Sequence, residues 1–200
     1  MTAQNAGRRV VTNMSLSLDG RYAKPGAPED MSWVMPYAVS DVARDHLTGL
    51  WEPATTALLG RVNAEGFLGF WPTVIGMDGV DPRDEAFAKW LVSTDKVVLS
   101  STLAESPWER TTLADRPAPD VVAELQATPG GDILVLSSAS VIKALLAADR
   151  VDRLCLMIFP VFLGGGPALF DDGLPPAQWT LVSQKAGEHG ELSLVYDRTR

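Results

Sequence analysis

The chain alternates short β-branched apolar runs with longer segments whose apolar residues recur at helical spacing, a pattern that specifies a layered α/β fold rather than separate blocks of strands and helices. Strands are predicted at Arg9 to Ser15, Thr55 to Leu59, Lys96 to Leu99 and Ile133 to Leu136. Arg153 to Phe162 is almost continuously apolar, as a central strand buried on both faces would be. Thr180 to Gln184 and Glu191 to Arg198, joined through Glu188-His189-Gly190, read as a terminal hairpin.

Between these runs the period changes. Val42, Ala43, His46, Leu47 and Leu50 share one face of a helix from Val39 to Leu50 that Ser40 or Asp41 can cap. Shorter helices are expected from Asn63 to Phe67 and from Val121 to Gln126, and another from the Ser137-Ser138-Ala139-Ser140 turn to Ala148. Arg21 to Pro36 and Gly69 to Arg83 are rich in Pro, Gly and Asp and are read as loops, the second followed by a helical turn at Asp84 to Trp90. Repeats and linker-like tracts are absent, so residues 1–200 form a single expected domain, with residues 1–8 expected to be flexible.

Composition narrows the function. A net charge of −8 provides no general positive field for polyphosphate chains, and no local basic patch offsets it, so nucleic-acid binding is not expected. No apolar stretch is long enough for a membrane span and no secretory leader precedes the first strand, which points to the cytoplasm. Cys155, the one cysteine, lies in an apolar run and reads as a small buried hydrophobe. His46 and His189 belong to no Cys/His cluster, so no metal is expected, and His46 reads as a solvated residue on a helix face.

Three turns share one arrangement: an apolar strand ends in small or hydroxyl residues, and two of the three then open a helix. They are Leu59-Gly60-Arg61, Leu99-Ser100-Ser101-Thr102 and Leu136-Ser137-Ser138-Ala139-Ser140. The free N–H groups and dipole of a helix N-terminus favour phosphate, and small side chains let it approach. Arg61 adds a guanidinium that can pair with phosphate oxygens, and the three hydroxyls of Ser100, Ser101 and Thr102 can donate to others. Each turn alone is also ordinary capping chemistry. Neither a Gly-x-Gly-x-x-Gly fingerprint nor a Gly-x-x-x-x-Gly-Lys-Ser/Thr loop is present.

The ordered set Ser15-Leu16-Ser17-Leu18-Asp19-Gly20, Leu58 to Glu65, Lys96 to Leu103, Ile133 to Ala139 and Phe159 to Gly166 resembles the bacterial dihydrofolate-reductase-like family. That family includes the reductase domain of the bifunctional riboflavin-biosynthesis deaminase-reductase. The resemblance implies a mostly parallel sheet of about eight strands with flanking helices, a C-terminal antiparallel hairpin and a homodimer. It also implies NADPH across the carboxyl ends of the strands. Gly60 and Arg61 would then meet the pyrophosphate or the 2′-phosphate side, Ser100, Ser101 and Thr102 the adenosine phosphate, and Ser137, Ser138, Ala139 and Ser140 the pyrophosphate. Relatives commonly carry glycine where Ser137 or Ser138 stands here.

The substrate end is less defined. Asp19 is a candidate for contacting substrate or steering a proton, and is equally an Asp-Gly turn residue. Trp33, Phe70 and Trp71 can wall a planar heterocycle or pack in the core, and Gly164 and Gly165 can admit a ligand or turn the chain. Glu65 reads as a brace for its helix. Asp41 and Asp45 fall where folate-reducing members of the fold keep a carboxylate. The implied activity is hydride transfer from NADPH to a small heterocyclic or ribosyl-aminopyrimidine substrate, with dihydrofolate or pterin reduction and a non-catalytic dinucleotide-binding or assembly module as alternatives.

Overall fold

The computed structural model describes residues 7–200 and contains one eight-stranded sheet in the order β4-β3-β2-β5-β1-β6-β8-β7. The strands are β1 (Val10–Ser17), β2 (Ala54–Gly60), β3 (Asp95–Leu99), β4 (Thr111–Ala114), β5 (Asp132–Leu136), β6 (Arg153–Phe159), β7 (Gln178–Ala186) and β8 (Leu192–Thr199). All neighbours from β4 to β6 run parallel, while β8 is antiparallel to both β6 and β7. This is the α/β, dihydrofolate-reductase-like architecture that the sequence motifs imply.

Alternation along the strands divides the core into two layers, because successive side chains point to opposite faces. Val10, Met14, Leu16, Leu58, Ile133 and Val135 pack with α5 (Ala118–Gln126) and α6 (Ala139–Ala147) on one face. Val11, Ala57, Leu59, Leu134, Leu136 and Cys155 pack on the other, against α2 (Asp41–Trp51), α3 (Arg61–Phe70) and α4 (Pro82–Ser93). A smaller cluster of Trp33, Val34, Ala43, Met157 and Phe159 covers the carboxyl end of β6.

Several boundaries differ from the sequence reading, each for a local reason. The helix after β2 starts at Arg61 rather than Asn63, with Gly60 in extended conformation as its N-cap. The expected turn at Asp84 to Trp90 is a twelve-residue helix, α4: Asp81 caps it through the Arg83 N–H and Pro82 occupies its first turn, so residues read as loop are start signals. A 3-10 helix (Trp71–Val74) and a four-residue helix, α1 (Met35–Ala38), interrupt the two expected loops. Strand β4, a short edge strand with one buried residue, gives no apolar run to read. Strand β6 stops at Phe159 because Pro160 has no N–H to donate.

The expectation of flexibility for residues 1–8 falls mostly on 1–6, which lie outside the described residues. At Arg8 the structure corrects it. This buried guanidinium donates to the Gly131 and Leu125 carbonyls and to the hydroxyls of Thr55, Thr56 and Thr128, stitching the start of the chain to β2 and the approach to β5.

Candidate functional site

At the carboxyl ends of β2 and β5, two helices begin side by side. Gly60 is the N-cap of α3 and Ser138 that of α6, and neither side chain caps its own helix. The Ser138 hydroxyl instead bridges the two turns, accepting from the Gly60 N–H at 2.9 Å and donating to the Leu136 carbonyl at 2.9 Å. Asn63 donates to the same carbonyl from α3 at 3.1 Å. These bonds fix both helix N-termini beside one cavity of about 400 Å³, with Gly60, Arg61, Asn63, Ser138, Ala139, Ser140 and Tyr22 in its wall.

The two turns leave backbone donors free at the cavity. The first-turn N–H groups of both helices have no side-chain cap, so their partial positive charge is available to an anion. Gly60 has φ −79°, which any residue adopts, and a Cβ there would meet only Val141 and Ser138 at 3.5 Å or more. The backbone itself does not demand glycine; its small size matters to the cavity. Arg61 is half-exposed and pairs with Glu65 one turn along at 2.7 Å, so the brace expected of Glu65 acts on the guanidinium. Ser137 has φ +45°, the left-handed region, which glycine adopts more readily than serine.

The third turn is separate. Leu99 reaches the cavity wall, but Ser100, Ser101 and Thr102 do not. The Ser100 hydroxyl accepts from the Thr102 and Leu103 N–H groups at 3.2 and 3.0 Å, a local turn that leads into a loop before β4. Ser101 and Thr102 are exposed beside it.

The substrate candidates lie past the ends of β1 and β6. Asp19 accepts from the Ser17 hydroxyl at 2.6 Å and from the Leu163 and Gly164 N–H groups at 3.0 Å each, which clamps the turn after β1 to the segment after β6. The Ser17 bond first, then those from the backbone, hold its carboxyl below the ordinary value, so it is an ion and an acceptor. Trp33 is 6% exposed and packs edge-on to Phe159, a core residue. Trp71 likewise stacks edge-on against Phe87, while Phe70 is exposed. Gly164 has φ +67° and Gly165 packs on Pro25. A Cβ on Gly166 would come within 2.2 Å of the Ala23 carbonyl, so the backbone approaching this glycine run is the chain's own.

The reading of His46 as solvated is overturned: it is buried between α2 and the sheet, bonded to Ser193 and Asn13. Periodicity alone placed it on the apolar face; what it lacked was knowledge of the polar groups opposite. Cys155 is buried as expected, and burial pushes its thiol up to about 12. Asp41 and Asp45 are exposed and both accept from Arg83 of α4. Among the described residues no group of three His, Cys, Asp or Glu side chains is placed to hold a metal ion, and no helix is long and apolar enough to cross a membrane. Sequence reasoning does not single out Asn13 or Tyr22, the first being one polar residue in an apolar strand and the second one aromatic in a loop, and it reads Asn63 only as the start of a helix.

The model of the RibD C-terminal domain matches residues 8–191. The fold is similar to a putative riboflavin biosynthesis protein of a Shewanella species (23% identity, TM-score 0.71, covering 96% of this chain and 99% of that one). It is also similar to a pyrimidine reductase-like protein of Corynebacterium diphtheriae (16%, TM-score 0.67, 96% and 92%). A third likeness is to a diaminohydroxyphosphoribosylaminopyrimidine deaminase/5-amino-6-(5-phosphoribosylamino)uracil reductase of Thermotoga maritima (14%, TM-score 0.64, 96% and 57%). No curated protein matches the chain significantly.

Proposed function

The chain belongs to the RibD C-terminal domain family, and from that premise we propose that it is an NADPH-dependent reductase of a ribosyl-aminopyrimidine or a similar small heterocycle. The observation that carries the proposal is the pair of uncapped helix N-termini, α3 and α6, tied together by Ser138 at the edge of one cavity. Two such termini side by side suit a pyrophosphate, which brings two phosphates close together.

The first-turn backbone N–H groups of α3 that follow Gly60, with those of Ala139 and Ser140 in α6, would hold the pyrophosphate. The lack of a side chain at Gly60 would leave it room, and the Arg61 side chain would meet an outer phosphate. The reduced nicotinamide, when bound, supplies the hydride. The protein's part is placement: β5 ends at Leu136 while β1 continues to Ser17, and their chains leave on opposite faces, to α6 and to α2. Open α/β sheets bind ligands in such a crevice. The substrate would lie there over Asn13 and Ser15, half-exposed side chains on a strand flanked on both sides. Asp19 holds the wall of this crevice as an ionised clamp rather than delivering a proton. No observation favours folate reduction, because the carboxylates of Asp41 and Asp45 are occupied by Arg83.

Six tryptophans provide a signal for titration. A saturable fluorescence change with NADPH, followed by NADPH oxidation on adding 5-amino-6-(5-phosphoribosylamino)uracil, is the expected result. No saturable response at sub-millimolar NADPH would overturn the reductase reading, whereas saturable binding without oxidation of NADPH by any such substrate would favour the non-catalytic dinucleotide-binding module.

A further inference from the structure

One buried polar chain runs from the antiparallel edge of the sheet to the crevice. Ser193 of β8 is buried, and its hydroxyl lies 2.7 Å from Nδ1 of His46. Nε2 of the same ring lies 3.1 Å from Oδ1 of Asn13 on β1. The hydrogen atoms follow from the acceptors. A side-chain carbonyl cannot donate, so Nε2 must carry the proton; the ring is neutral, so Nδ1 accepts from the Ser193 hydroxyl. Burial depresses the basicity of His46, which keeps the ring neutral.

Asn13 has a backbone that is fully used and a side chain that is half used. It pairs with Leu136 and Cys155 on its two flanks, and its carbonyl accepts from the Ser137 N–H at 3.0 Å, one residue before the Ser138 bridge. Its Oδ1 is taken by His46, and among the described residues Nδ2 has no hydrogen-bond partner. On a strand paired on both sides, a half-exposed asparagine with a free amide donor is exceptional: apolar residues or satisfied polar ones are the rule there.

We propose that His46 is a positioning residue, which through Ser193–His46–Asn13 holds the Asn13 side-chain NH2 facing the crevice as a fixed donor to a carbonyl oxygen of the substrate. The direction is set by the relay: with Oδ1 locked toward Nε2–H, the amide presents only donors to the ligand. A neutral donor selects an oxygen acceptor and disfavours a ring nitrogen that carries its own hydrogen. This assignment rests on the substrate lying over β1, as proposed above.

Two measurements separate the relay from that reading. Ring ¹⁵N NMR of the ligand-free protein locates the His46 proton: Nε2 is expected, and a proton on Nδ1 overturns the relay whatever the enzyme reduces. Steady-state kinetics with NADPH and 5-amino-6-(5-phosphoribosylamino)uracil test the donor. Asn13→Asp and Asn13→Ala should raise KM about tenfold with a smaller change in kcat, the loss of one neutral hydrogen bond. His46→Leu should do the same, and His46→Gln, which can still donate to Oδ1, should restore much of the wild-type KM. Unchanged KM in both Asn13 variants overturns the donor role. If the wild type does not turn over this probe, the substrate reading has failed, and the ring nitrogens alone decide the relay.

Discussion

Two adjacent serines in the turn after β5 have opposite roles. Ser137 sits at φ +45°, where an L-residue is strained and glycine is not. Ser137→Gly should therefore stabilise the protein by up to about 1 kcal/mol, the relief partly offset by the extra freedom of glycine in the unfolded chain. Ser138 is buried with both hydrogen bonds made. Ser138→Ala strands the Gly60 N–H and should cost about 1–3 kcal/mol. Urea midpoints of the two variants, moving in opposite directions at constant m, would check both. At Arg61, the Glu65 pair leaves the guanidinium half-exposed and able to reach a phosphate. If it meets the 2′-phosphate, Arg61→Ala weakens NADPH by about 10- to 100-fold and NADH much less; equal losses in a fluorescence titration reassign it to the pyrophosphate. Single residues were the least legible part of the sequence. Gly60, Arg61, Ser138, Ala139 and Ser140 could be read because turn chemistry is local. Asn13 could not, because its partner His46 lies 33 residues away and Ser193 farther still.

Helix α2 docks on the sheet through Ala43, His46 and Leu50, and the middle one titrates. Burial lowers His46 from 6.5 to about 4. The unfolded chain takes up the proton near pH 6.5 while the folded one resists it, so the stability from a neutral His46 is full above 6.5. It falls as the pH drops from 6.5 towards 4, by about 3 kcal/mol in all. Carboxylates held below their ordinary values, such as Asp19 and Asp197, lose their contribution only at lower pH. The unfolding free energy measured between pH 7 and 4 should decline in the wild type and stay nearly flat in His46→Gln. Elements were legible where apolar periodicity was strong, as in α2, β5 and β6. They were missed where capping residues imitate a loop, as at Asp81-Pro82 before α4, or where an edge strand has no apolar face, as at β4.

For the whole molecule, the hairpin of β7 and β8 covers the flank of β6, and β7 is an almost wholly exposed edge with Leu181 and Val182 outward. Removing the hairpin by ending the chain after Phe170 would expose β6, whose residues are mostly buried. Such a chain should elute from size exclusion as aggregate where the full chain does not. The fold class was legible from strand order in the motifs, but the sheet order was not, since no local pattern tells β1 which strands will flank it.

That strand order also sets a timetable. β1 is the first strand of this sheet to be synthesised and lies in the middle of the finished sheet, between β5 and β6. At ordinary rates of synthesis it waits on the order of ten seconds for either neighbour to be made. Through that interval Val10, Val11, Met14 and Leu16, all buried at the end, have no partner of their own sheet to shield them. The nascent chain is thus a natural client for a chaperone that shelters short apolar strands, and slowing translation before Asp132 would prolong that need rather than relieve it.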